Sequence, residues 1–442
     1  MAERRRIGAV GLAAVVVASA VLAFGLGPGT ATAQDATRVD SCTTITEPGR
    51  YVLVDDIENS TAGVCIDVRA SDVAFDGGGH TIAGNLSREA IRDAPLRPPG
   101  FFPWSPRPTD RVGVRVGDAT RVSNVTVANV TTTRWLLGVL VEGATNATVR
   151  DVTATGDGAG IYVEDAADVT VAGSDASNNL VVGVGLVGDT ADRASEYAVV
   201  DTVADGNRHA GVWLTNATRS ALHGVVAREN EFFGVVSMQS PDSVVANVTA
   251  SDNGFTGVTV EAPRGAVVRN VTLVDGSFTG NGYIGLVLSN AENTTVVNAS
   301  VAGTRGVLPR GPVLPIPSTG VLAHDASGNV LVGVDARDQA AWAYYAQDGS
   351  TNVVLDLETD AVATSFVGRD VAVGPDATTP VNATRLGDGL TVTNTSADAF
   401  VTLLAQWGSR ETTEGTDGEE TNATDGDRGR RSRTSPDETT SG

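Results

Sequence analysis

Asn207-Arg-His-Ala-Gly211-Val-Trp-Leu is followed by Asn230-Glu-Phe-Phe-Gly234-Val-Val-Ser and by Asn253-Gly-Phe-Thr-Gly257-Val-Thr-Val. The three segments stand 23 residues apart, and in each an asparagine sits four residues before a glycine that opens a short alternating run. Working outward, the same opening stands at Gly113, Gly138, Gly160, Gly183, Gly285 and Gly320, and with alanine at Ala343. The successive steps are 25, 22, 23, 28, 23, 23, 28, 35 and 23 residues. A base period near 23 with occasional insertions is one structural unit repeated, the mark of a solenoid.

The unit is β. Within the openings the second and fourth residues are mostly apolar, as in Val139/Val141, Ile161/Val163, Val212/Leu214 and Val258/Val260, a period of two. A second Val- and Thr-rich run follows about ten residues later, for example Ala147-Thr-Val-Arg-Asp-Val and Ala266-Val-Val-Arg-Asn-Val. No sustained helical period interrupts these runs, and Leu is too sparse for a leucine-rich repeat. Asn179, Asn207, Asn230, Asn253 and Asn281 occupy one column, where an amide holds a turn in the left-handed conformation and bonds the amide of the next rung. These residues read as an asparagine ladder, not as ligands. The fold predicted is all-β, a right-handed parallel β-helix of about eleven or twelve coils over residues 40–360, with a small β capping element over 361–407.

Residues 1–33 carry Arg4-Arg5-Arg6, an apolar stretch from Ile7 to Leu26 and Ala31-Thr32-Ala33, the pattern of a secretory signal peptide. The alternative is an uncleaved membrane anchor. Either places the protein outside the cytoplasm, extracellular or at the cell surface. Cys42 and Cys65, the only cysteines, are one rung apart, so stacking predicts a disulfide between the first two coils. Residues 408–442 are acidic and almost free of apolar side chains, which predicts a disordered tail. Net charge is −22 and all 31 basic residues are arginine, a composition suited to strong salt. No basic stripe exists to displace counterions, so nucleic acid is not an expected partner. Thirteen Asn-x-Ser/Thr sequons make glycosylation an expectation for an exported chain.

Cys42-Thr-Thr-Ile-Thr-Glu-Pro-Gly-Arg-Tyr-Val-Leu, followed by Cys65-Ile-Asp-Val-Arg-Ala-Ser-Asp-Val-Ala-Phe-Asp-Gly-Gly-Gly-His-Thr-Ile, resembles the first coils of NosD-type right-handed β-helix proteins. The resemblance covers roughly residues 40–360. It implies a secreted β-helix and, through the founding periplasmic members, copper delivery. Copper work wants soft or imidazole ligands, and the chain offers Met238, His80, His209, His223 and His324. His80 belongs to the Gly-Gly-Gly-His turn and reads as structural, so copper is carried over to no residue. No other cofactor is expected, calcium at a pair of carboxylates apart.

Three functions remain open. The first is a non-enzymatic protein binding a polysaccharide or a cell-surface protein through its outer face. The outward residues of the opening strands form a long apolar stripe, in which Tyr162, Trp213 and Tyr345 would stack on sugars or a partner. The alternative for the stripe is that a C-terminal segment covers it. Trp104, in the Pro-rich insertion 85–111, is a further stacking candidate. The second function is a polysaccharide lyase or glycoside hydrolase using Glu229 and Asp252, which stand one residue before their ladder asparagines in consecutive rungs. About 5 Å apart, they would suit a retaining pair or a calcium site, or simply solvation of an acidic surface. The third is a copper-related maturation factor, by family analogy alone.

Overall fold

The computed structural model describes residues 36–94, 111–118, 121–188, 195–307, 318–347, 350–359, 366–367 and 371–373. The signal segment 1–33, Trp104 and the tail 408–442 lie outside these residues. The chain winds as a right-handed parallel β-helix. One face is a 13-stranded sheet running from Thr43–Ile45 to Phe366–Val367, one strand per coil. The second is a 16-stranded sheet, and the third begins as a four-stranded sheet and continues as isolated bridges from Thr153↔Asp175 to Ser277↔Ser300. The described residues make thirteen coils, against eleven or twelve expected, which span on the order of 60 Å.

Register follows the spacing of the sequence. Val139 pairs with Ile161, Val184 with Val212, Val235 with Val258 and Leu286 with Val321, all parallel. These side chains point inward and are buried in one continuous core. Each such burial contributes roughly 1.5–3 kcal/mol. The opening glycines are required by their neighbours. A Cβ at Gly211, Gly234 or Gly257 would meet the carbonyl oxygen of the next glycine in the column at 2.8, 2.6 or 2.7 Å.

The asparagine column is a ladder, built differently from the expectation. The backbone N–H of Asn179 donates to Oδ1 of Asn207 at 2.9 Å, Asn207 to Asn230 at 2.8 Å, Asn230 to Asn253 at 3.0 Å and Asn253 to Asn281 at 2.9 Å. The left-handed residue of the turn is the one before each ladder position: Asn178, Gly206, Glu229, Asp252 and Gly280, with φ of 59, 64, 56, 59 and 64°. The division has a physical reason. The corner residue faces solvent and must adopt αL, whereas its neighbour points inward and must satisfy a buried donor. Left-handed backbone also explains most sequons. Nine of the ten within the described residues have their asparagine at positive φ, Asn85 being the exception.

Cys42 and Cys65 are disulfide-bonded, with Cα atoms 4.3 Å apart, beside the paired residues Thr43 and Ile66. Two local expectations change. Phe366–Val367 pairs with Trp342–Ala346, and Val371–Val373 with Thr351–Glu358, so this stretch continues the coils instead of opening a separate cap. The rest of the expected cap, 374–407, lies outside the described residues. The insertion after the second coil contains a one-turn helix, Arg88–Arg92, that no periodicity announced. Ser87 caps it by accepting the Ala90 N–H at 3.1 Å, and buried Ile91 anchors it.

Candidate functional site

The ladder continues beyond the asparagines towards the N-terminal coils, and its residue types change there. Asp157 takes the ladder place below Asn179, donating its N–H to Asn179 Oδ1 at 3.0 Å. Its own Oδ1 accepts the Trp135 N–H at 2.8 Å, and its Oδ2 accepts the Thr132 hydroxyl at 3.0 Å. Full burial pushes this carboxyl up to about 8, so at neutral pH it holds its proton and imitates the amide found in the other coils. Trp135 occupies the next ladder place, wholly buried, its indole N–H on the Ile82 carbonyl at 2.9 Å. The corner column in front of these residues carries Arg134, at φ 62°, and Gly156.

Here the helix Arg88–Arg92 packs against the corner and leaves a cleft of about 420 Å³. Leu86, Ile91 and Leu180 supply its apolar lining. Asn85, Ser87 and Thr133 supply hydroxyl and amide groups, and Arg88 and Arg134 supply positive charge. Arg134 donates to Asn59 Oδ1 at 2.8 Å, and Arg111 reaches Asn85 Oδ1 at 3.3 Å. The volume lies within the roughly 300–1,000 Å³ typical of small-molecule sites, which likewise combine apolar walls with a few polar groups.

Glu229 and Asp252 lie farther along the same corner, exposed and one coil apart. The structure brings them into register, with both at the left-handed position of the turn. Arg305 approaches the backbone carbonyls of Asp252 and Asn253 at 3.4 and 3.3 Å.

The outward stripe of the 13-stranded sheet departs from the expectation of an exposed binding surface. Tyr162, Trp213 and Tyr345 are 2, 0 and 3 % exposed and belong to a second apolar cluster with Leu140, Val236 and Leu322. Part of the reason lies in the turn ahead of each strand, which sends rings across the stripe. His209 lies 5.6 Å from Trp213, Trp213 5.7 Å from Phe233, and Phe233 5.6 Å from Phe255. The Tyr162 ring covers Gly185 so closely that a Cβ there would meet Cδ2 at 2.6 Å. Trp342 flanks Tyr345 at 6.4 Å. At the N-terminal end Arg115 forks onto Asp67, with bonds of 3.0 and 2.9 Å.

The four histidines occupy different settings. His80 holds a turn through Asp56 at 3.1 Å, and burial drives His209 down to about 3 among aromatic rings. His223 lies in the 16-stranded sheet and His324 in the 13-stranded one. Among the described residues no three of His, Cys, Asp or Glu come close enough to share a metal. Nor is any described helix long and apolar enough to cross a membrane.

A stack of parallel coils with ladder-held turns and a corner cleft defines a parallel β-helix repeat protein. Part of the stack is similar to one known family: the family model described as periplasmic copper-binding protein (NosD) matches residues 138–304. No curated protein matches the chain. Among solved structures, the mannuronan C-5 epimerase AlgE4 A-module of Azotobacter vinelandii is 14 % identical, with a TM-score of 0.37, over 74 % of this chain and 90 % of that one. A mutant of the periplasmic alginate epimerase AlgG is 13 % identical, with a TM-score of 0.44, over 75 % and 76 %. Tailspike protein 2 of bacteriophage CBA120 is 10 % identical, with a TM-score of 0.38, over 60 % and 43 %. Likeness at this level says nothing about activity.

Proposed function

We propose that this chain is an exported, non-enzymatic β-helix protein that binds glycans, with the cleft beside the helix Arg88–Arg92 as its site. The carrying observation is the lining of that cleft. An apolar floor for the C–H face of a sugar ring lies beside Asn85, Ser87 and Thr133, whose polar atoms suit its hydroxyls. The alternative of a lyase or hydrolase at Glu229 and Asp252 has less support. Both residues occupy corner positions that the turn itself demands, and both are exposed. The copper reading of the family name has no matching ligand cluster among the described residues.

A glycan array read alongside a reducing-end assay tests the proposal. Retention of a glycan without product is expected. Turnover that disappears in Glu229→Gln or Asp252→Asn would replace binding with catalysis, and a silent array would remove the glycan reading. Heat from copper titrated into the full chain would reopen the third reading.

A further inference from the structure

We infer that the cleft selects carboxylated glycans, those built from uronic acids; this rests on the glycan-binding reading above. Charge is unevenly distributed over the coils. Acidic residues outnumber arginines 53 to 31, and many described arginines on the coils lie against a carboxylate. Arg228 sits on Asp205 at 2.9 Å, Arg269 on Glu292 at 2.9 Å and Arg337 on Asp335 at 2.8 Å. The corner with the cleft breaks that habit. Arg88 and Arg134 line the cleft, Arg111 reaches Asn85 at its edge, and none of the three has a carboxylate partner among the described residues.

Arg134 makes the point most sharply. It takes the left-handed corner place that other coils fill with Asn, Gly, Asp or Glu, and its guanidinium is held by the neutral Asn59 amide. Arg111, also left-handed at φ 73°, is held by the Thr61 carbonyl and the Asn85 amide oxygen, each at 3.3 Å. The acids nearest to Arg88 in sequence, Glu89 and Asp93, do not line the cleft, and Asp93 already pairs with Arg92 at 3.0 Å. In a chain this acidic, a hollow edged by guanidinium groups suits a ligand that brings the missing carboxylate. Guanidinium forks bind planar carboxylates through two parallel hydrogen bonds. The apolar floor and the hydroxyl and amide groups beside them match a sugar ring, which together specify a uronate.

The test is calorimetric titration of the full chain with a galacturonate trimer and with the neutral galactose trimer. The acidic trimer should bind about tenfold or more tightly than the neutral one, the scale of one charge-assisted fork. Arg88→Ala, at an exposed residue, should remove most of that preference, and Arg88→Lys should restore only part of it. Equal affinity for the two trimers would overturn the uronate inference while leaving glycan binding intact. So would a preference that survives Arg88→Ala combined with Arg134→Gln. A silent glycan array removes the polymer reading instead. In that case monomeric galacturonate, followed by NMR at the Arg88 and Arg134 side chains, tests the cleft directly, and absent shifts would end the anion reading too. A sulfated galactan that binds as tightly as the galacturonate trimer would overturn selectivity for carboxylate.

Discussion

The two ends of the corner column make the most instructive comparison in the molecule. From Asn179 to Asn281 the ladder repeats one solution: a buried asparagine bonded to the coils on either side, with asparagine, glycine or an acidic residue at the left-handed position before it. From Arg134 to Asp157 the same backbone geometry carries arginine, tryptophan and a protonated aspartate, and a cleft opens in front. At the first end every residue type suits the turn. The second keeps the architecture while substituting residue types that the turn does not ask for, which is where a binding role leaves its mark.

The largest expected effect comes from breaking the regular end. Asn253 Oδ1 accepts both the N–H and the Nδ2 of Asn230, and its own amide bonds the Ala227 carbonyl and Asn281. Asn253→Ala leaves several buried polar groups unsatisfied, so a loss of about 3 kcal/mol or more is expected in urea denaturation. Reducing the Cys42–Cys65 bridge, which closes a 23-residue separation, should cost about 3 kcal/mol, read as a fall in thermal midpoint with reductant.

Asp157 sharpens the contrast between the ends through pH. The folded chain holds this proton up to about 8, whereas the unfolded chain releases it near the ordinary value of 3.8. The folded state therefore binds more protons between those limits. Its stability contribution is fully present below about pH 4 and is lost as pH rises towards 8, by an amount on the order of a few kcal/mol. Glu261, pushed up to about 7 by burial, adds to the same slope, so the informative quantity is the difference between variants. Asp157→Asn should flatten its share and be more stable than the parent at pH 8.5. A pH slope unchanged by the substitution would show that the carboxyl is not holding a proton.

The smallest effect is expected at the exposed corner. Glu229→Gly relieves left-handed backbone at φ 56° and should change stability by no more than about 0.5–1 kcal/mol, the gain in strain being set against chain entropy. A loss well beyond that would mean the Glu229 side chain does more than turn the chain.

Much of this was legible in the residues themselves. A parallel stack forces chemically alike positions into vertical columns, so spacing alone predicted the register, the ladder and the Cys42–Cys65 bridge. What spacing could not reveal depends on direction and on insertions. The apolar alternation around Trp213 identified an outward stripe but not the rings of His209, Phe233 and Phe255 that pack on it, because those enter from the preceding turn. The cleft was invisible for a similar reason. It joins Arg88, on a one-turn helix inside an insertion, to Arg134 and Leu180, which lie 46 and 92 positions onward. The left-handed corner was assigned one residue too late, since asparagine suits both the corner and the ladder and only backbone angles separate them.

The positive φ of the sequon asparagines carries a consequence for how such chains are read. A coil that bends through αL recruits asparagine, sends the next side chain inward and favours a β-branched residue after it. Asn-x-Thr is thus written into the bend itself, and a glycosyltransferase searching for acceptors meets a grammar composed for curvature. Among the described residues Asn85, outside that geometry and at the lip of the cleft, is the acceptor triplet whose spelling the coil does not explain.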